Sequence, residues 1–193
     1  MCKPFAVLIV FICAVFGAGT VGAISFEARD FDALANEADQ IVIGTVASTS
    51  SRRTGAREIV TDFRFADVAV IKGTVADTAL TLTMLGGTVG TETLTVAGAP
   101  TFKPGIRYLV FVTGNGSVMF PLVGGQQGIF QVRTDEATGV SRVLDYAGRA
   151  LTRLPGRADT PLVDRLEAGA GEPMSEAGFV DAIRAKLNAR GAQ

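Results

Sequence analysis

Histidine and tryptophan are missing from this chain of 193 residues, and its two cysteines, Cys2 and Cys13, both lie near the amino terminus. Without histidine, the usual general base, the usual activator of a nucleophilic hydroxyl and the commonest zinc ligand are unavailable. If the amino-terminal segment is removed, cysteine goes too, and with it disulfide staples, thiolate nucleophiles and sulfur-ligated metals. Tight zinc, copper and iron sites draw mainly on imidazole and thiolate, and no segment spaces oxygen ligands as a calcium loop does. No metal and no cofactor is therefore expected. An excess of one charge is also lacking, since 18 basic face 19 acidic side chains. A chain so balanced lacks the basic footprint of a nucleic-acid binder, and no nucleic-acid partner is expected.

What is present begins with a leader. Lys3 precedes an apolar stretch from Phe5 to Phe16, followed by small residues up to Ala23. That is the plan of a secretory signal peptide, too short in its apolar part for a permanent membrane anchor. Small side chains at Val21 and Ala23 place the cut between Ala23 and Ile24. Cys13 follows Val10, Phe11 and Ile12 rather than the small residues that precede a lipid-modified cysteine. The expectation is residues 1–23 as signal peptide and an exported, periplasmic or secreted mature chain. Losing Lys3 takes the formal charge from −1 to −2.

The mature chain is expected to divide into a β-barrel domain with an amino-terminal helix over residues 24–146, a Gly/Ala/Pro-rich linker over 147–173 and a carboxy-terminal helix over 174–193. Ser25 to Asp39 has helical spacing of Phe26, Phe31, Leu34 and Ala35, with Ser25 as N-cap. Gln40 to Val46 is β-branched and strand-like, and Ser48 to Arg57 is a polar loop. In Glu58 to Lys72 the apolar parity changes between Phe63 and Phe65 and Val68 and Val70. An extra residue near Ala66 and Asp67 would restore one buried face, so a β-bulge bending a barrel strand is expected there. Ala79 to Leu85 alternates apolar and threonine side chains, Gly86 to Gly90 turns, and Thr91 to Val96 alternates again. Further strands are expected at Tyr108 to Val112, Val118 to Val123, Gly128 to Arg133 and Val140 to Tyr146, with a tight hairpin at Asn115-Gly116. Ser175 caps a last helix whose Phe179, Ile183 and Leu187 form a stripe. A closed or nearly closed antiparallel barrel accommodates this series, and a β-sandwich is the alternative.

Candidate chemistry is sparse. Lys72, Lys103 and Lys186 are the lysines a Ser-Lys dyad would need, and all fall where loops or exposed helix faces are expected. Asp62 and Asp67 share a strand with Arg64, and the bulge would bring both carboxylates to one face. Asp135 and Glu136 precede a turn without a calcium-loop pattern. The glycine runs Gly86 to Gly90 and Gly124 to Gly128 lack the lysine and the strand-to-helix setting of a phosphate loop. Arg52, Arg53 and Arg57 form the local basic cluster, without interleaved aromatics for stacking bases. No catalytic residue and no metal ligand is assigned, and the binding residues are unknown at this level.

The order Ala38-Asp39-Gln40-Ile41-Val42-Ile43-Gly44-Thr45-Val46, the long strand ending Val70-Ile71-Lys72-Gly73, and Phe102-Lys103-Pro104-Gly105 before Tyr108-Leu109-Val110-Phe111-Val112 resembles the netrin-like domain family, which includes the tissue inhibitors of metalloproteinases. It also resembles uncharacterised exported bacterial proteins with the same strand order. The resemblance runs from about Ala38 to Val123 and implies a five-stranded OB-like Greek-key barrel with flanking helices. The inhibitors' working end is a disulfide-anchored amino-terminal cysteine, and here Ile24 stands at that end. Their inhibitory mechanism is therefore not carried over to any residue of this chain. Two functions are expected in that order: a non-enzymatic binding module, partner or modulator of an extracytoplasmic protease, or a carboxylate-based hydrolase of an envelope or extracellular polymer.

Overall fold

The computed structural model describes residues 27–75, 79–154 and 171–191. The expected leader, its cut between Ala23 and Ile24, and the core of the expected linker lie outside them.

Helix α1 (Phe31–Glu37) starts where Asp30 accepts the Ala33 amide on its carboxylate at 2.7 Å, satisfying one of the donors a helix start leaves open. Asp30 is thus the cap, five residues beyond the expected cap at Ser25. Phe31, Leu34 and Ala35 fall on one side and are buried.

Six strands, β1 (Gln40–Arg53), β2 (Ile59–Lys72), β3 (Leu80–Leu85), β6 (Arg107–Val112), β7 (Ile129–Thr134) and β8 (Ser141–Asp145), form one antiparallel sheet in the order β3-β2-β1-β6-β7-β8. β4 (Gly87–Val89) and β5 (Glu92–Leu94) make a separate hairpin. The chain is mainly β, and its main sheet is open: β3 and β8 pair with no strand on their outer sides among the described residues. Connecting chain approaches those edges instead. Leu85 donates its amide to Met119, and β8 is bridged by Ala150 and Ser175, so part of the edge backbone finds partners without closure.

Three segments depart from the sequence reading. β1 extends to Arg53, because the first half of β2 faces it residue for residue from Ser48↔Arg64 to Arg53↔Ile59; the expected polar loop shrinks to a turn near Gly55. Gly87–Val89 is strand rather than turn, with Gly90 and Thr91 at the hairpin tip. Val118 to Val123 is not a strand. Pro121 removes an amide donor in its middle, and only Leu122 bridges Val112. The Asn115-Gly116 pair closes no hairpin either; Ser117 and Val118 both donate to the Gly114 carbonyl in a single tight coil.

The expected bulge is present. Ile43 pairs with Ala69 and Thr45 with Ala66, which leaves Asp67 and Val68 opposite Gly44. Asp67 takes a positive φ of 52°, a left-handed conformation that Asp tolerates better than most side chains. Gly44 matters here: a Cβ would meet Val68 Cγ2 at 3.0 Å and the Ala66 carbonyl at 3.1 Å. A second shift, between Ile41↔Lys72 and Val42↔Val70, changes the phase again, so Val70 is 40% exposed instead of joining Phe63 and Phe65 in the core.

Both faces of the sheet are buried. On one, Ile41, Ile43, Leu109, Phe111 and Val132 pack under α1 and α2 (Glu176–Gly191), which contributes Phe179, Val180 and Ile183. Ser175 caps α2, its hydroxyl accepting the Gly178 amide at 3.1 Å. On the other face, Val42, Val46, Phe63, Phe65, Leu82 and Val110 are covered by Phe102 and Leu122. Phe102 meets Phe63, Phe65 and Tyr108 edge-on at 5.2, 5.3 and 5.0 Å between ring centres. Its loop is fastened by two phenols: Thr101 donates to the Tyr146 hydroxyl at 3.0 Å and Lys103 to that of Tyr108 at 3.2 Å. The start of the expected linker belongs to the fold, since Leu151 and Leu154 pack on the helix-side core and Leu151 donates to Val143.

Candidate functional site

Beyond Phe65 no strand pairs with the outer edge of β2 among the described residues. Alongside this half, β2, β6, the start of β8 and α2 enclose a groove of about 480 Å³. Its floor is apolar, from Ile43, Ala69, Val70 and Val180. Val140, 39% exposed, stands at the β7–β8 turn and lines the same groove as Val70. The rim is charged but balanced: Arg107 holds Glu176 at 3.1 Å, and Arg184 lies 3.7 Å from Asp181. The two carboxylates of this groove are therefore each engaged by an arginine.

A second recess, of about 390 Å³, lies at the start of β1, where Asp39, Gln40, Leu80, Thr81, Val112, Gly114 and Asn115 meet. The Asp39 carboxylate accepts the Gly114 amide at 2.8 Å and the Thr113 hydroxyl at 3.3 Å, both on Oδ2. Gln40 donates to the Thr74 carbonyl, while its own Oε1 is enclosed without a donor. Asn115 donates to Thr81 at 2.8 Å.

The residues singled out in the sequence are dispersed. Asp62 accepts from Arg52 at 2.7 and 3.3 Å and from the Thr83 hydroxyl at 2.7 Å. The Arg52 hydrogen bond pulls its carboxyl below the ordinary aspartate range, as an opposite charge within contact distance does. Asp67 sits exposed in the bulge and shares none of the partners of Asp62. Asp135 folds back on the amides of Thr138 and Ala137, both at 2.9 Å, and those bonds, Thr138's foremost, hold its carboxyl low. It is a turn former. Among the described residues no group of three or more Asp or Glu converges as a metal site would require.

Lys72 donates to the Ala35 and Asn36 carbonyls at the end of α1, and Lys186 pairs with Asp32 at 2.8 Å. Arg52 and Arg53, two of the three arginines in the basic cluster, are neutralised by Asp62 and Glu92. Both glycine runs serve folding. A Cβ on Gly87 would collide with the Thr61 and Ser51 hydroxyls, and Gly125–Gly128 forms a 3-10 turn. There Gln127 accepts the Arg29 amide and donates to the Glu27 carbonyl, tying down the approach to α1. Neither recess was found from the sequence, because each gathers residues from strands distant in the chain.

No family model, curated protein or solved structure matches the chain. Among the described residues no helix is long and apolar enough to cross a membrane.

Proposed function

We propose that the chain is an exported, non-enzymatic interaction module built on an OB-like barrel, and that the groove between α2 and the far half of β2 is where a protein partner docks. The observation that carries this reading is the meeting of Val70 and Val140, each about two-fifths exposed, on one apolar floor with charged pairs at its rim. Exposed apolar surface rimmed by polar groups is the usual mark of a protein-binding face. Strand order supports the OB-like part: β6 returns beside β1 after the β1-β2-β3 meander, which is the Greek-key arrangement. The apolar leader of Phe5 to Phe16 supports export. The netrin-like resemblance makes an extracytoplasmic protease the partner class to try first.

The test is capture of a stoichiometric partner from periplasm or culture medium by the purified protein and by a V70D/V140D variant, with V118D as a surface control. Capture lost in the first variant and kept in the control supports the reading. Capture unchanged by V70D/V140D, or turnover of a glycan panel abolished by a carboxylate substitution, overturns it, the latter in favour of a hydrolase.

A further inference from the structure

We infer that the recess at the start of β1 is a receptor for a primary alkylammonium group, either the side chain of a lysine on another protein or a free aliphatic amine. This recess shares no lining residue with the α2 groove, so the inference stands apart from the docking proposal.

Three observations converge on it. Among the described residues the exposed Asp39 is the one ionisable residue lining the recess, and no cationic side chain pairs with it. The carboxylate is also held in place, because Gly114 and Thr113 both donate to Oδ2, leaving Oδ1 for a ligand. The second polar feature is an enclosed acceptor. Gln40, itself half-buried, has no donor partner on Oε1, and an uncompensated carbonyl dipole beside the recess favours a positive charge nearby. Val75, Leu80 and Val112 complete the lining with apolar surface, which suits a methylene stem carrying its charge at one end.

The arrangement favours ammonium over guanidinium. A guanidinium binds a carboxylate best through two parallel bonds to both oxygens, and here Oδ2 is already taken by two protein donors. A compact ammonium with three freely rotating donors needs only Oδ1 and water or a neighbouring carbonyl. The volume of about 390 Å³ admits a chain of four or five carbons.

The experiment is an amide NMR titration of the purified protein with pentylammonium, with pentanol as the uncharged match, and with a Gly/Ser peptide bearing one central lysine. Saturable shifts are expected at Gly114, Asn115 and the Gln40 side-chain amide. Binding of pentanol should be weaker by about tenfold, the scale of a hydrogen bond to a charged group. D39N should weaken pentylammonium binding by a similar factor, and it retains an acceptor for the Gly114 amide. A lower Kd for the peptide points to a protein-borne lysine, and a lower Kd for pentylammonium to a free amine. Equal binding of pentanol and pentylammonium overturns the inference without reliance on any variant. So does the absence of saturable shifts at these residues.

Discussion

The two halves of β2 are one continuous strand living under different rules. From Val60 to Phe65 it is paired on both sides, by β1 and by β3, and buries Val60, Phe63 and Phe65. From Ala66 to Lys72 it keeps β1, has no second strand beside it among the described residues, and leaves Asp67, Ala69 and Val70 exposed. The switch falls at Asp67, where the extra residue and the left-handed backbone turn the strand. An open edge invites unwanted strand addition, and bulges and a charge are the usual protection. Here the register shifts on either side of Val70 leave only a short regular stretch for another chain to pair with. The far half is therefore better suited to side-chain docking in the groove than to lengthening the sheet.

The largest expected break of this contrast comes from truncating each half in turn. F65A should cost about 3–5 kcal/mol, the range for large-to-small changes at a fully buried aromatic, measured by chemical denaturation. It would remove the ring that supports Phe102. V70A, in the half-open region, should stay within about 0.5 kcal/mol of the parent. Comparable losses from both would show that the far half is packed as tightly as the near one.

The hinge between the halves gives the next effect. D67V places a β-branched side chain at positive φ and should destabilise by about 1–3 kcal/mol, whereas D67G removes the conformational strain and should be neutral or mildly stabilising. G44A tests the same hinge from the opposite strand. Its Cβ has Val68 and the Ala66 carbonyl at 3.0 and 3.1 Å, and crowding of that kind costs about 1–3 kcal/mol. If D67V and D67G melt alike, the bulge is not set by backbone conformation.

A smaller effect belongs to pH. Asp62 sits on the doubly paired half with its carboxyl held low, chiefly by the Arg52 hydrogen bond. A folded-state value below the unfolded one stabilises above the unfolded value of about 3.9 and loses that stabilisation as pH falls through the folded value. Melting of the parent should therefore fall more steeply below about pH 4 than melting of D62N, with little difference in slope at neutral pH. Because Arg52 is half exposed, the effect should shrink in high salt.

Much of this contrast was legible in the residues themselves. The change of parity between Phe63, Phe65 and Val68 located the bulge, because a two-residue period cannot skip a phase without an inserted residue. Ser175 and the Phe179, Ile183 stripe located α2, since a cap and a helical period are both local. Asp30 was missed in favour of Ser25 because several residues ahead of α1 can cap, and only the amide of Ala33 chose among them.

The sequence by itself determined the apolar amino-terminal run, the absence of histidine, the confinement of both cysteines to the first 13 residues, the β-rich core and the site of the bulge, because each is a property of composition or of neighbours in the chain. The tertiary structure alone decided that the sheet stays open, that Ser48–Arg53 is strand and Val118–Val123 is not, and that Arg52 and Arg53 are neutralised. It also decided which residues meet in the two recesses. Those outcomes depend on partners from other segments of the chain, and strand pairing, ion pairing and cavity shape are set by what those segments bring alongside.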